Sequence, residues 1–166
     1  MRRRVVVAII GFAALAATGV AVNAQASQDT QARSRAAAAT SQVAPRITVV
    51  EHAVTDTVVD IGPNGDSRGD LLAFANPVFN GANTKRVGRD QGSCVRTVVG
   101  KAWQCSWTTL LPKGSLVVEG PFYDSRDSVM AITGGTGAYS RARGVMHLHA
   151  RNTAGTLFTF RFAVQS

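Results

Sequence analysis

The sequence predicts an all-β fold, an eight-stranded antiparallel β-barrel, and three observations predict it. From Arg46 onward, short runs of branched and aromatic residues are separated by Gly, Pro, Asn and Asp. No stretch after Pro45 carries apolar residues at a convincing helical spacing. The runs number about eight, and an even set of short strands joined by tight turns argues for an antiparallel barrel or sandwich. Eight strands make a barrel just wide enough to be filled by side chains or to hold one small ligand.

The elements follow in order. Arg2, Arg3 and Arg4 precede a nearly unbroken apolar stretch from Val5 to Val22, and Val22-Asn23-Ala24 is a small-x-small site. Residues 1–24 therefore read as a secretory signal peptide, with an uncleaved membrane anchor as the rival. Residues 25–45 are rich in Ala, Gln, Ser and Thr and read as a flexible linker. The barrel domain is expected over 46–166. Ile47–Val50 continues into Val58–Ile61, and Pro63-Asn64-Gly65-Asp66 is a turn. Leu71–Phe79, Arg86–Val98, Ala102–Leu111 and Ser115–Glu119 are the next strands. Val129–Ile132, Val145–Arg151 and Leu157–Val164 complete the set. The cluster Gly134, Gly135 and Gly137 reads as a hinge or as a phosphate cradle. The cradle lacks both a following Lys-Ser/Thr and a G-x-G-x-x-G that opens a helix.

Charge and motifs exclude several functions. The chain has 18 Lys plus Arg and 10 Asp plus Glu; without the three leader arginines, 15 face 10, a net +5. The positive residues are scattered and are not interleaved with aromatics, so no nucleic-acid partner is expected. The Gly-x-Ser-x-Gly spacing occurs at Gly65-Asp66-Ser67-Arg68-Gly69, in a turn and not between a strand and a helix, so it is no nucleophile elbow, and there is no His-Glu-x-x-His. His147 and His149 share a strand face but lack a third ligand, so no metal is assigned.

Strand faces point to a lumen. Phe158, Phe160 and Phe162 lie at period 2 on one face, as a core or a ligand-shaping wall. Glu51 shares its face with Ile47, Val49 and Ala53. If that face points inward, desolvation raises its pKa and suits it to proton transfer; otherwise it is a rim residue in water.

Several motifs resemble plant allene oxide cyclase: Gly69–Asn76, Lys85–Gly88, Gly92–Val95, Glu119–Phe122 and Asp127–Gly137 with Gly144. The last of these is also similar to dirigent proteins. The resemblance spans Arg46 to Ser166. It implies a lipocalin-like, calycin-type barrel with an apolar cavity and no redox cofactor, often a dimer or trimer. It also implies chemistry that controls how a reactive hydrophobic intermediate cyclises or couples. Phe74 and Asn76 match the cavity aromatic and amide, Cys94 a cavity cysteine, and Glu51 the first-strand glutamate. Ala53 replaces an asparagine that holds an epoxide-binding water, and Phe122 replaces a tyrosine. With the water holder missing, the plant fatty-acid allene oxide is not the expected substrate.

The expected function is a secreted or cell-envelope barrel that binds a hydrophobic small molecule and directs its cyclisation or isomerisation. Glu51 and Asn76 are its catalytic pair, and Phe74, Phe122, Phe158, Phe160 and Phe162 its binding wall. A non-catalytic ligand-binding barrel of the dirigent or lipocalin kind is the alternative, and an envelope barrel filled by its own side chains is a third reading. No cofactor is expected, and membrane contact only through the leader. The cysteines set the resemblance against geometry, since the plant pattern has no counterpart of Cys105. With Val99-Gly100 at the centre of a hairpin turn, Val98 faces Lys101 and Cys94 faces Cys105. In an oxidising compartment these two residues, the only cysteines, are expected to form a disulfide.

Overall fold

The computed structural model describes Gln28, Thr30, Gln31 and residues 46–165. The chain divides into two compact units, Met1–Val43 and Ala44–Ser166. In the first, Gln28, Thr30 and Gln31 are helical; the expected signal segment and nearly all of the linker lie outside the described residues. Among the described residues, no helix is long and apolar enough to cross a membrane.

The second unit is the barrel. Its strand segments are β1 (Arg46–His52), β2 (Thr57–Val59), β3 (Leu71–Phe74), β4 (Pro77–Asn80) and β5 (Arg86–Val98). They continue as β6 (Ala102–Leu111), β7 (Gly114–Tyr123), β8 (Ser128–Gly135), β9 (Arg143–Ala150) and β10 (Leu157–Gln165). Every pairing is antiparallel. β1 lies between β10 and β4, and β5 pairs with β6 to close the sheet. β1 with β2 and β3 with β4 are each one strand interrupted, so ten segments make eight staves.

The interruption in the second stave corrects the continuous strand expected over Leu71–Phe79. Ala75 N–H donates to the Thr55 hydroxyl at 2.7 Å instead of to a strand partner. Asn76 then exchanges backbone hydrogen bonds with Asp90 at 2.9 and 3.0 Å. Asn76 keeps the inward parity of Leu72, Phe74 and Val78 across the break and is fully buried. The hairpin between β5 and β6 also differs by one residue at its tip. Val98 pairs with Ala102, not Lys101. Lys101 N–H closes the turn on the Val98 carbonyl, and Gly100 sits at φ 63°, where a side chain would be strained. A bulge between Arg96 and Val98 absorbs the shift, so the register from Arg89 to Arg96 is as expected.

The glycine cluster is a hinge. β8 runs on through Gly134 and Gly135, and the chain turns at Gly137 (φ 58°) into a short 3₁₀ segment, Gly137–Tyr139. Thr136 N–H donates to Ser115 and Ala138 N–H to Lys113, at 2.9 and 2.8 Å. These amides are used in packing the turn and are not free to cradle a phosphate.

Alternation places one residue of every two inside. Val49, Trp107, Val118, Met130, Met146 and Phe160 are among the side chains that meet there. Each large apolar side chain so buried contributes roughly 1.5–3 kcal/mol.

Candidate functional site

Glu51 is inside the barrel. It is 6 % exposed, on the inward row of β1 with Ile47, Val49 and Ala53. Its backbone is paired on both sides, with Phe158 of β10 and Val78 of β4, which fixes where the carboxyl can reach.

Asn76 organises the groups around it. Its Nδ2 donates to Glu51 Oε1 at 2.8 Å and to Asp56 Oδ1 at 2.7 Å. Its Oδ1 accepts from Val54 N–H, Thr55 N–H and the Thr55 hydroxyl, at 2.9–3.0 Å. Both amide protons and the carbonyl oxygen are therefore used within the protein. Asn76, expected to be catalytic, thus hydrogen-bonds both Glu51 and the loop between β1 and β2.

A third carboxyl stands behind this pair. Asp90 lies on the inward row of β5, four residues before Cys94, and is 0 % exposed. Neither of its carboxylate oxygens closes a hydrogen bond of good geometry. Directly across the ladder Thr109 is also fully buried with an unpaired hydroxyl, and the Trp107 Nε1 proton is unpaired nearby on β6. Burial pushes the Glu51 carboxyl well above the ordinary carboxylate range; the Asp90 charge adds to the rise and the Asn76 amide offsets part of it. Burial likewise lifts Asp90, to about 7, while the Glu51 carboxyl and the Asn76 backbone hold it down in part. The two titrate as a pair. With Asn76 Nδ2 on Oε1, a proton on Glu51 is best carried on Oε2.

The carboxyls adjoin an aromatic cleft of about 50 Å³. Its walls are Phe74, Trp107, Phe122, Phe158 and Phe160, with Leu72, Leu148, Glu51, Asp56 and the two cysteines. Trp107 meets Phe74 edge-on at 5.9 Å and leans on Phe160 at 5.5 Å between centroids. Phe122 and Phe158 stand edge to face at 5.9 Å. Together with Leu148, these two rings also line a vestibule of about 500 Å³. The vestibule wall is stiffened by Arg96, which is 8 % exposed, stacks on Trp103 and grips Asp124 through Nη1 at 2.7 and 2.9 Å.

Of the residues expected from sequence, Glu51, Phe74, Phe122, Phe158 and Phe160 converge on the cleft. Phe162 does not line it; it packs edge-on against Phe160 in the core. Cys94 and Cys105, both in the wall, form a disulfide, so neither is a free thiol. His147 and His149 face outward, and His149 Nδ1 pairs with Asp127 at 2.8 Å. Sequence reasoning missed Asp56, Asp90 and Trp107. Strand parity held the signal for two of them: Asp90 shares the row of Cys94, and Trp107 the row of Cys105.

Residues 55–163 match the allene oxide cyclase family. Among solved structures, a pyocyanin demethylase is similar at 25 % identity and TM-score 0.62, covering 70 % of this chain and 98 % of its own. The pterocarpan synthase dirigent protein PsPTS1 is similar at 20 % identity and TM-score 0.58, covering 72 % and 92 %. The Diels-Alderase AbmU from Streptomyces koyangensis is similar at 14 % identity and TM-score 0.54, covering 89 % and 82 %. At these lower identities the last two bear on the fold alone.

Proposed function

The chain belongs to the allene oxide cyclase family, and we propose that it is an exported barrel that binds an apolar small molecule and directs its cyclisation or isomerisation by proton transfer. The observation that carries this reading is Glu51: a carboxyl whose pKa burial raises well above the ordinary carboxylate range, at the wall of an aromatic cleft. A protonated acid in a water-poor site donates to a carbonyl, epoxide or alkene carbon, and its carboxylate takes a proton back as the product forms. Asp90, lifted to about 7, steadies the proton on Glu51 by its negative charge. Asn76 fixes the carboxyl in one orientation, and the rings of Phe74, Trp107, Phe122, Phe158 and Phe160 fold the ligand and face positive charge as it develops. The cleft admits only part of a ligand, so the remainder lies in the vestibule beyond Phe122 and Phe158. The reading draws its support from the family and from this geometry. Export is supported by the leader pattern of Arg2–Arg4 and Val5–Val22 and by a disulfide of the kind that persists in oxidising compartments.

Turnover of candidate intermediates without added oxidant tests it. Glu51→Gln should keep a cooperative melt and lose turnover at least about a hundredfold, the usual scale of general acid catalysis. Unchanged turnover with Glu51→Gln removes the proposed chemistry. The small cleft favours one other reading, an envelope barrel filled by its own side chains, which a lack of any saturable ligand binding would support. Ligand titration that saturates without product formation would favour a binding barrel over a cyclase.

A further inference from the structure

We propose that the Glu51 end of the cleft is a subsite for a small organic cation, an ammonium head of about trimethylammonium size, whose attached body occupies the vestibule. This rests on the reading that the cleft is the ligand site and adds the charge of what enters it.

Three features on different elements point the same way. Five aromatic rings line the cleft, and among the described residues no Lys, Arg or His does. Ring faces attract a cation, the more strongly once it is desolvated. Two carboxyl side chains, Glu51 and Asp56, share that lining. Behind them Asp90 is fully buried, and its oxygens close no hydrogen bond of good geometry, leaving it only loose contacts with Glu51 and the Asn76 backbone. Buried carboxylates so poorly satisfied are stabilised by a positive neighbour.

Size and charge orient the ligand. A volume of about 50 Å³ holds roughly four waters, which is room for a branched ammonium head but not for a fused ring system. The head reaches the cleft through Phe122, Leu148 and Phe158, which open on the vestibule. There the sign changes. Asp124 is tied to Arg96 and Asp127 to His149, while Arg126 lies over the Tyr123 ring and Arg151 lines the wall. A positive head is therefore drawn past the vestibule into the cleft, and a neutral or anionic body is left outside.

The cation also makes a linkage prediction. Positive charge beside the Glu51–Asp90 pair favours loss of one of its two protons, leaving the other for the chemistry, and among the described residues no basic side chain lines the cleft to compete. Binding near neutral pH therefore releases a proton.

Isothermal titration of the full chain with choline, and with its uncharged isostere in which tert-butyl replaces trimethylammonium, tests this. Two buffers of different ionisation heat report the proton. Choline is expected to bind at least about tenfold more tightly than the isostere and to release a proton. Glu51→Gln should reduce that preference. Asp56→Asn, at an exposed position where the remaining Oδ1 can still accept from Asn76 Nδ2, should reduce it too. Equal or tighter binding of the isostere overturns the cation subsite and leaves the cleft as a ligand site. Binding of neither overturns both. A choline preference untouched in both variants places the cation elsewhere and also overturns the proposal.

Discussion

Asp90→Asn is the most informative single change, because it removes a charge from the interior while keeping shape. The Asp90 pKa is raised from 3.8 to about 7. A raised carboxyl pKa means that the folded protein holds a proton which the unfolded chain has released. Stability is then fully present below the unfolded pKa and is lost as pH rises through the folded one. A shift of about three units at 1.36 kcal/mol each gives a loss of about 4 kcal/mol between about pH 4 and about pH 8. Glu51 adds a loss of the same sign, since its pKa is raised as well. The asparagine does not titrate. Its buried amide protons are unpaired, which costs about 1–3 kcal/mol at every pH. Removing the Asp90 charge also relaxes Glu51, whose rise Asp90 augments. The two stability curves should therefore cross: the variant is the weaker protein near pH 4 and the stronger one near pH 8. Urea unfolding across that range at constant ionic strength measures it. Parallel curves, with the variant weaker throughout, would show that Asp90 ionises in the folded protein as easily as in the unfolded chain. They would remove the paired-carboxyl account of Glu51.

Three further outcomes are expected. Reducing the Cys94–Cys105 disulfide, which spans 11 residues, should lower unfolding free energy by about 3 kcal/mol; unchanged urea midpoints with and without reductant would contradict this. Secreted material should begin at Gln25 by mass spectrometry, whereas full-length, membrane-bound protein alone would refute cleavage. Val59, Leu71 and Val95 align across β2, β3 and β5 and are 50 %, 37 % and 41 % exposed. If the barrel associates with itself through this outward row, Leu71→Lys should shift sedimentation toward the monomer, and an unchanged value would exclude the row as the interface.

What the sequence determined by itself was local or periodic. Turn residues at short intervals set the number of staves, and alternation set which residues share a face. The Glu51 row on β1 and the Phe158–Phe162 row on β10 were legible for that reason. A short hairpin fixes register over its own length, so Cys94 could be set against Cys105 even though the tip of that turn slips by one residue. Tertiary structure decided what closure brings together. Glu51, Asn76 and Asp90 come from β1, the break between β3 and β4, and β5, and no short-range pattern relates them. Asn76 was legible as a cavity amide, but only the folded loop at Val54–Asp56 shows which groups its hydrogen bonds reach. Parity gives a residue's face but not its height along the barrel, which is why Phe158 and Phe160 line the cleft while Phe162 is core. The cleft's volume was beyond sequence altogether, because it depends on how five rings from β3, β6, β7 and β10 settle against one another when the sheet closes.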